Sequence, residues 1–351
     1  MGKRLIRWAL LGALLFPATL HSGMAWAAED KAPAAKESAS AEDEAWKKEP
    51  AYGKTIKVGY NGGLCLGTFG IAQLKGFYEK EGLKTEVVRM AGGSSAQTDA
   101  IGTGKVDVAG DHIATMLVPT INGVRIKFTA GIHTGCKSLY VLASSDIKST
   151  KDLIGKTIAI PDGIGASDQN ITMRFLNRDK IDPMKVKYKV AEAGAAVLAM
   201  QNGEIQAATL GDQFAKRFVD DGTLRIIRSL TFDEDFKKET CCIHAVSLDF
   251  YEKNPITVKK LTRAHEAASE WMMQHPEEAV KTLQANNWAS GDYALVLEIF
   301  KTYNFGVSDK LTEDTLRNTI TDYKQFGLID KSKDTETLIK SVWDPVMDEA
   351  R

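Results

Sequence analysis

From residue 55 onward, short β-rich runs alternate with helical segments, and this alternation constrains the fold more than any other feature. The run Thr55–Tyr60 ends in a glycine-containing turn and is followed by a helical segment, Phe69–Glu81. The same order recurs at Lys156–Ile160, which precedes a helix ending at Asn177. This order predicts an α/β fold with parallel βαβ units and helices on both faces of each sheet. Beyond Pro255 the pattern is almost wholly helical.

The overall composition excludes several classes of protein. Of 351 residues, 44% are hydrophobic, which supports a packed core and excludes global disorder. The 45 basic residues are balanced by 46 acidic ones, so we expect no nucleic-acid partner. Four cysteines are too few to build a disulfide scaffold. We expect the mature chain to be a monomer.

The N-terminal region has the features of an export signal. Basic residues at positions 3, 4 and 7 precede an apolar run, Trp8–Leu20, that is too short to span a bilayer comfortably. Ala25-Trp26-Ala27 then gives a small-x-small cleavage site, so residues 1–27 are predicted to be a cleaved signal peptide. The polar stretch 28–53 is predicted to be a disordered leader, and the fold is predicted to start at Lys54.

An internal repeat suggests two lobes of similar design. Gly104–Ala109 matches Gly203–Ala208, and each segment begins a strand after a helix. Chance similarity between two turns is the alternative explanation. Asp152–Pro161 lies between them, and two late segments, Leu311–Asp330 and Val342–Asp344, complete the pattern.

In this order and spacing, the segments resemble the periplasmic solute-binding proteins of ABC importers, in particular the group for nitrate, sulfonates, taurine and pyrimidine precursors. The resemblance covers the chain from Lys54 to its end. It implies a two-lobed, type II periplasmic binding fold with a mixed, mostly parallel sheet in each lobe and additional C-terminal helices. Residues 54–137 and 242–351 would form the first lobe, and residues 138–241 the second.

The resemblance also implies a function. We expect a periplasmic protein that captures a small solute, either anionic or an organic compound containing sulfur or nitrogen, by closure of its lobes. An ABC permease and ATPase in the inner membrane would be its partners, and it would not be an enzyme. One alternative is an enzyme of the pyrimidine-synthesis type. Such enzymes carry a cysteine-rich segment that Cys241-Cys242 matches only in part, and the export signal argues against this role. The other alternative is a sensor of the same fold.

Ligands of open α/β sheets bind at the carboxyl ends of strands, and several polar side chains are predicted there. Glycine- and serine-rich helix starts near residues 92–95 and 163–167 could bind an anion or serve only as helix caps. Neither is a nucleotide motif, so we expect no cofactor. Members of the family often carry an acidic residue followed by a proline at this point of the chain. This chain keeps the acidic residue, Asp212, but has Gln213 in place of the proline. The candidate ligand-binding residues are Asn61, Cys65, Gly93, Ser94, Ser95, Asp111, His112, His133, Cys136, Gly165, Ser167, Asp212 and Cys242.

The resemblance places all four cysteines at the cleft or hinge, and three interpretations remain open. Cys136 could form a disulfide with Cys241 or Cys242, since the two crossover strands run side by side. The thiols could instead pack as small apolar groups. The third interpretation is a site for a soft metal or metal complex. Strand alternation predicts that Cys242 and His244 share a face and that Cys241 points the other way. The predicted metal ligands are Cys65, His133, Cys136, Cys242 and His244.

Overall fold

The computed structural model describes residues 41–90 and 95–347. The predicted signal peptide and the candidate residues Gly93 and Ser94 lie outside this part of the chain. Of the described residues, 44–90 and 95–347 form one compact unit. Within the described ranges, none of the helices combines the length and the apolar character needed to cross a membrane.

The strands of the described residues form two five-stranded sheets. Their bounds are β1 Thr55–Gly59, β2 Lys84–Val88, β3 Val108–His112, β4 Ile126–Thr134, β5 Lys137–Leu142, β6 Thr157–Ala159, β7 Lys187–Lys189, β8 Ala207–Gly211, β9 Leu224–Ser229 and β10 Thr240–Ser247.

Helices connect most of these strands and make up nearly all of the C-terminal part. Their bounds are α1 Gly67–Leu74, α2 Phe77–Lys80, α3 Ala96–Gly102, α4 Ile113–Ile121, α5 Ser167–Arg178, α6 Ala193–Gln201, α7 Asp212–Asp220, α8 Leu248–Lys253, α9 Pro255–Gln274, α10 Pro276–Ala285, α11 Tyr293–Phe300, α12 Asp309–Gln325 and α13 Thr335–Val342. Short 3₁₀ turns lie at Thr150–Leu153 and Pro183–Lys185.

Both sheets are mixed and mostly parallel. The first has the order β2-β1-β3-β10-β4, and only β10 runs antiparallel to its neighbours. The second has the order β7-β6-β8-β5-β9, and only β5 is reversed. The predicted α/β, two-lobed architecture is therefore confirmed, with one sheet at the centre of each lobe.

The strand β10 is buried along its whole length, which fits its position between β3 and β4. A strand in the interior of a sheet that is covered on both faces reads as a nearly continuous run of small and apolar residues. Cys241, Ile243 and Val246 belong to such a run. The start of β10 lies where the chain re-enters the first sheet, so its first residues are at the junction between the lobes.

Two connections join the sheets. The chain leaves β4 and reaches β5 through Gly135 and Cys136 alone, and it returns through residues 230–239. Gly135 and Cys136 both have left-handed backbone conformations, with φ of 86° and 95°. The boundaries between the lobes that are predicted from the sequence follow residues 137 and 241. In the structure, Lys137 already belongs to β5 of the second sheet and Cys241 to β10 of the first.

The C-terminal helices contact both lobes. Trp343 forms a bridge with Phe128 of β4 in the first sheet. On the other side, the buried Arg174 of α5 forms ion pairs with Asp322 of α12 at 2.8 Å and with Glu239 at 2.7 Å. The last helices therefore connect the first sheet to a helix of the second lobe.

The predicted start of the fold at Lys54 is too late, because residues 44–53 belong to the compact unit. The Glu49 carboxylate accepts hydrogen bonds from the backbone N–H groups of Ile256 and Thr257 at 2.6 and 2.9 Å. These are first-turn donors of α9, which lack partners within the helix, and a negative charge is favourable there. The Trp46 indole donates to the Thr257 hydroxyl at 3.0 Å.

Replacing Glu49 by alanine should lower the free energy of unfolding by about 1–2 kcal/mol, because two helix N–H groups lose their partner. Urea unfolding followed by tryptophan fluorescence measures this. Glu44→Ala is the matched control, since the exposed Glu44 pairs with the exposed Lys47 and its loss should leave the free energy of unfolding close to that of the wild type. Equal effects of the two substitutions would show that residues 44–53 do not stabilise the fold.

Candidate functional site

The candidate site is centred on Cys242, which pairs with a histidine on each side. In the sheet, Cys242 lies opposite His112 of β3 and opposite His133 of β4. Residues directly opposite one another on neighbouring strands project to the same face and are close enough to touch. The pairing of three strands thus places one thiol between two imidazoles.

A bulge adds a second thiol from the same strand. Thr240 pairs with Thr134 and Cys242 with His133, so Cys241 is an extra residue on β10. A bulge interrupts the alternation of side chains and redirects the extra residue. The prediction that Cys241 points away from Cys242 is therefore wrong, and both thiols reach the same group of side chains.

Cys136 and Cys65 complete the group. The Cys136 sulfur lies 3.1 Å from the sulfur of Cys241 and 3.4 Å from Nε2 of His112. The four cysteines are free thiols in this structure. We call these side chains the junction cluster; its members are Cys65, His112, His133, Cys136, Cys241 and Cys242. They form two sets whose ligand atoms all lie within 4.8 Å of one another: Cys65, His133, Cys136 and Cys242, and His112, Cys136, Cys241 and Cys242.

The two histidines are oriented by their second ring nitrogens. Nδ1 of His133 donates to the carbonyl oxygen of Thr134 at 2.9 Å, and its buried Nε2 has no hydrogen-bond partner. Nδ1 of His112 lies 3.1 Å from the carboxylate of Asp111. Carboxylate or carbonyl acceptors on one ring nitrogen are typical of histidines whose other nitrogen binds a metal.

Mutual contacts perturb the thiols in different directions. Burial raises the pKa of Cys242 well above its usual range. Burial acts in the same sense on Cys241, but contacts with Cys136 and Cys242 and the charge of His112 outweigh it and hold the pKa of Cys241 well below that range. Burial also opposes ionisation of Cys136, yet contacts with Cys242 and Cys65 lower its pKa to about 7.

The thiols in turn favour the charged form of His112. Burial alone would lower the pKa of this imidazole, but the neighbouring Cys136 and the Asp111 carboxylate raise it well above its usual value. The contacts within the cluster therefore favour the thiolate of Cys241 together with the imidazolium of His112. Thiolates are the form of cysteine that binds metals and reacts as a nucleophile.

His244 is not part of the cluster, so its inclusion among the predicted metal ligands is wrong. It follows Cys242 by two residues, which is about 6–7 Å along a strand. There it packs in the interior of the first lobe, stacked on Phe69 with ring centroids 5.5 Å apart. Its Nδ1 lies 2.6 Å from the hydroxyl of Thr129, and its ring centroid lies 4.7 Å from that of His265.

Three other candidate residues are exposed and make local contacts. Asn61 accepts a hydrogen bond from the backbone N–H of Met90 at 2.7 Å. Ser95 donates to Asp99 at 3.2 Å. Gly165, which has a φ of 75°, donates its N–H to Gln169 at 2.7 Å. These groups hold the loops in place.

Ser167, proposed from sequence as an anion-binding hydroxyl, instead donates to the carboxylate of Asp162. The buried ammonium group of Lys137 lies 2.6 Å from Asp162 and 2.5 Å from Asp168. The positive charge of Lys137 lowers the pKa of Asp162 below its usual range against the effect of burial. The donors of this loop therefore satisfy carboxylates of the protein itself.

Asp212 is buried and fully hydrogen-bonded in the same way. It accepts hydrogen bonds from the hydroxyl of Tyr140 at 2.6 Å and from that of Thr231. Its own N–H donates to the carbonyl oxygen of Cys136 at 2.9 Å, and Thr231 accepts from the N–H of Cys136 at the same distance. The second lobe thus fixes the backbone of Cys136 on both sides.

Sequence reasoning missed Lys137, Asp162 and Asp168 as neighbours of the site. Asp162 precedes the glycine-rich segment that the sequence does single out, so an acidic residue at the end of β6 was the available indication. The lysine carried no such indication, because its partners are 25 and 31 residues away.

Solved structures with the same fold define the class of protein. The alkanesulfonate-binding protein SsuA from Xanthomonas axonopodis pv. citri, bound to MOPS, superposes with a TM-score of 0.67 and 16% identity, covering 84% of this chain and 99% of that one. The periplasmic nitrate-binding protein NrtA from Synechocystis PCC 6803 gives a TM-score of 0.68 and 17% identity, covering 83% and 86%. The fold is that of the periplasmic binding proteins.

The sequence assigns the family. Residues 67–279 match the family described as NMT1/THI5 like, and the chain belongs to it. A curated relative is the Bacillus subtilis (strain 168) protein named "Putative binding protein YtlA", which is 24% identical over 216 residues. That match covers 58% of this chain and 62% of the relative's length.

Acid should destabilise the fold through His244, whose pKa burial lowers to about 3. Below a pH of about 6.5 the unfolded imidazole takes up a proton that the folded one excludes, so stability falls by about 1.4 kcal/mol per pH unit for this group. The unfolding free energies of the wild type and of His244→Gln, measured in urea, should therefore converge between pH 6.5 and 4.5. The exposed His275→Gln is the control; a constant difference between wild type and His244→Gln over this range contradicts the account.

Replacing Cys136 by glycine should leave stability nearly unchanged. A β-carbon at a φ of 95° costs about 1–3 kcal/mol, and glycine removes that strain while losing the buried thiol's packing. We expect a change within about 1 kcal/mol, whereas Cys242→Gly, which removes a buried side chain without relieving a left-handed backbone, should lose about 2 kcal/mol or more. Urea denaturation compares the two variants. If Cys136→Gly is as destabilised as Cys242→Gly, the backbone at residue 136 is not strained.

Proposed function

We propose that this protein is the solute-binding component of an ABC importer, exported to the periplasm, and that it binds its solute at the junction cluster. One observation carries the proposal: side chains from the ends of β3 and β4, the start of β10, the segment after β1 and the Gly135-Cys136 connection converge on one point. In open α/β folds, ligands bind at the carboxyl ends of strands, where these groups lie.

The mechanism would be a change in the relative position of the lobes without bond chemistry. Only two connections join the lobes, and each contributes thiols at or next to it, Cys136 on one and Cys241 with Cys242 after the other. A ligand that bonds to both connections binds one arrangement of the lobes better than others and shifts the population toward it. A membrane permease and ATPase would accept the closed form.

Contacts between the lobes stabilise the arrangement that they have in this structure. The Asn170 side chain of α5 donates to the carbonyl oxygen of Ala114 at 2.7 Å. Gln213 of α7 donates to the carbonyl oxygen of Ser290 at 2.8 Å. The buried ion pair between Arg174 of α5 and Asp322 of α12 adds to these contacts, so a ligand that shifts the equilibrium must favour one arrangement over the other by several kcal/mol.

A second candidate function is an enzyme with a nucleophilic cysteine, and one observation favours it. Asp111, His112 and Cys136 form a relay in which the carboxylate contacts one imidazole nitrogen and the thiol contacts the other. This is the arrangement of an activated nucleophile with its base and an orienting group. The test below separates the two functions, because a carrier releases its solute unchanged.

The test uses the full chain purified from the periplasm of expressing cells. Native mass spectrometry should show a noncovalent adduct, which partial unfolding in guanidinium releases into a low-molecular-mass filtrate. The stripped protein should have a larger radius of gyration in small-angle scattering, and adding the filtrate back should restore the smaller one. The released compound should keep its mass through repeated cycles.

Two results would contradict the proposal. If the radius of gyration does not respond to the filtrate, lobe movement is not the mechanism. If the compound is converted to a product by the protein, the enzymatic alternative replaces the carrier.

A further inference from the structure

The junction cluster is more than a set of packed thiols. Isolated buried cysteines behave as small apolar groups and require no polar neighbours. Here four thiols and two imidazoles gather in two overlapping sets of four ligand atoms, each set within 4.8 Å. Both sets contain Cys136 and Cys242, so these two residues would be ligands of an ion bound by either set.

Two further features indicate a site built for a ligand. The buried Nε2 of His133 has no hydrogen-bond partner, although its Nδ1 is anchored on a backbone carbonyl. Leaving a buried polar nitrogen unpaired costs free energy unless something else satisfies it. In addition, Cys136 is held in a strained left-handed conformation, which is typical of positions where function fixes a side chain.

The surroundings of the cluster disfavour an anionic solute. The hydroxyl of Ser167 and the ammonium of Lys137, which could have bound an anion, are paired with Asp162. The neighbouring Asp111 has one buried carboxylate oxygen without a hydrogen-bond partner. A ligand entering this region meets thiol sulfurs, imidazole nitrogens and a carboxylate oxygen, which are the donor groups that bind metal cations.

The geometry points to a thiophilic metal cation as the solute, an inference that rests on the proposed function and names its substrate class. Thiolates and imidazoles select zinc-like and softer ions over magnesium or calcium, which prefer oxygen ligands. Cys136 and Cys242 would bind in every case, with Cys65 and His133 or with Cys241 and His112 completing the coordination.

This arrangement links binding to the hinge. Cys136 lies on the outgoing connection between the lobes, and Cys242 lies just after the returning one. An ion bonded to both fixes the two connections side by side. Because Asp212 and Thr231 of the second lobe hold the backbone of Cys136, movement of that lobe would displace a ligand of the ion.

Titration of the reduced full chain with Cd²⁺ tests the inference, using the thiolate-to-cadmium absorption in the ultraviolet. One ion per chain should bind. Cys136→Gly, expected to fold normally, and Cys242→Ser should weaken binding about 100-fold or more. Cys65→Ser and Cys241→Ser should each weaken it about tenfold, since each leaves one set complete. His275→Gln, a remote exposed histidine, should bind as the wild type does.

Equal Cd²⁺ affinity in the wild type and Cys136→Gly would overturn the inference, because the bound Cd²⁺ would then be an adventitious ion only. An as-isolated protein carrying an organic adduct, with no metal and with Cys136 and Cys241 blocked as a disulfide, would also overturn it while leaving the solute-binding function in place. A chain that retains neither metal nor organic solute would contradict both proposals.

Discussion

The two-residue connection between β4 and β5 is the constraint on which the site depends. Gly135 and Cys136 reverse the chain from one sheet into the other with left-handed backbone conformations. A longer connection would leave Cys136 on a mobile loop. Held by backbone hydrogen bonds to Thr231 and Asp212, its thiol instead faces the start of β10 at a fixed distance. The same two residues form one of the two hinges between the lobes.

The charge distribution follows from this arrangement. The second lobe supplies buried carboxylates that are paired with its own donors, and the first lobe supplies the thiols and imidazoles. Asp162, paired with Lys137, also lies close enough to His112 for each to stabilise the charge of the other. The solved structures with this fold include proteins named for sulfonate and nitrate, whereas the junction in this chain is lined by thiol and imidazole groups.

Sequence alone predicted the architecture well, because strand and helix periodicity is a local property that the sheets preserve. It also brought together Cys65, His133, Cys136 and Cys242, which lie in or next to segments that the resemblance mapped to the cleft. It failed at Cys241, since the bulge there depends on the register of β10 with β4, a strand that is remote from it in the sequence. The prediction that His244 binds a metal was wrong, because strand alternation predicts which face of the sheet a side chain is on but not how far along the strand it lies. Sequence alone also failed at Glu49, whose partners begin 207 residues later.

If the solute is a metal ion, sulfur atoms of the junction cluster bind it. X-ray absorption at the zinc edge, recorded on the full chain loaded with Zn²⁺, measures the atoms that surround the metal. The atoms bonded to zinc should be mainly sulfur, with zinc–sulfur distances of about 2.3 Å and an imidazole contribution. A zinc ion bonded to oxygen and nitrogen without sulfur would contradict binding by the junction cluster.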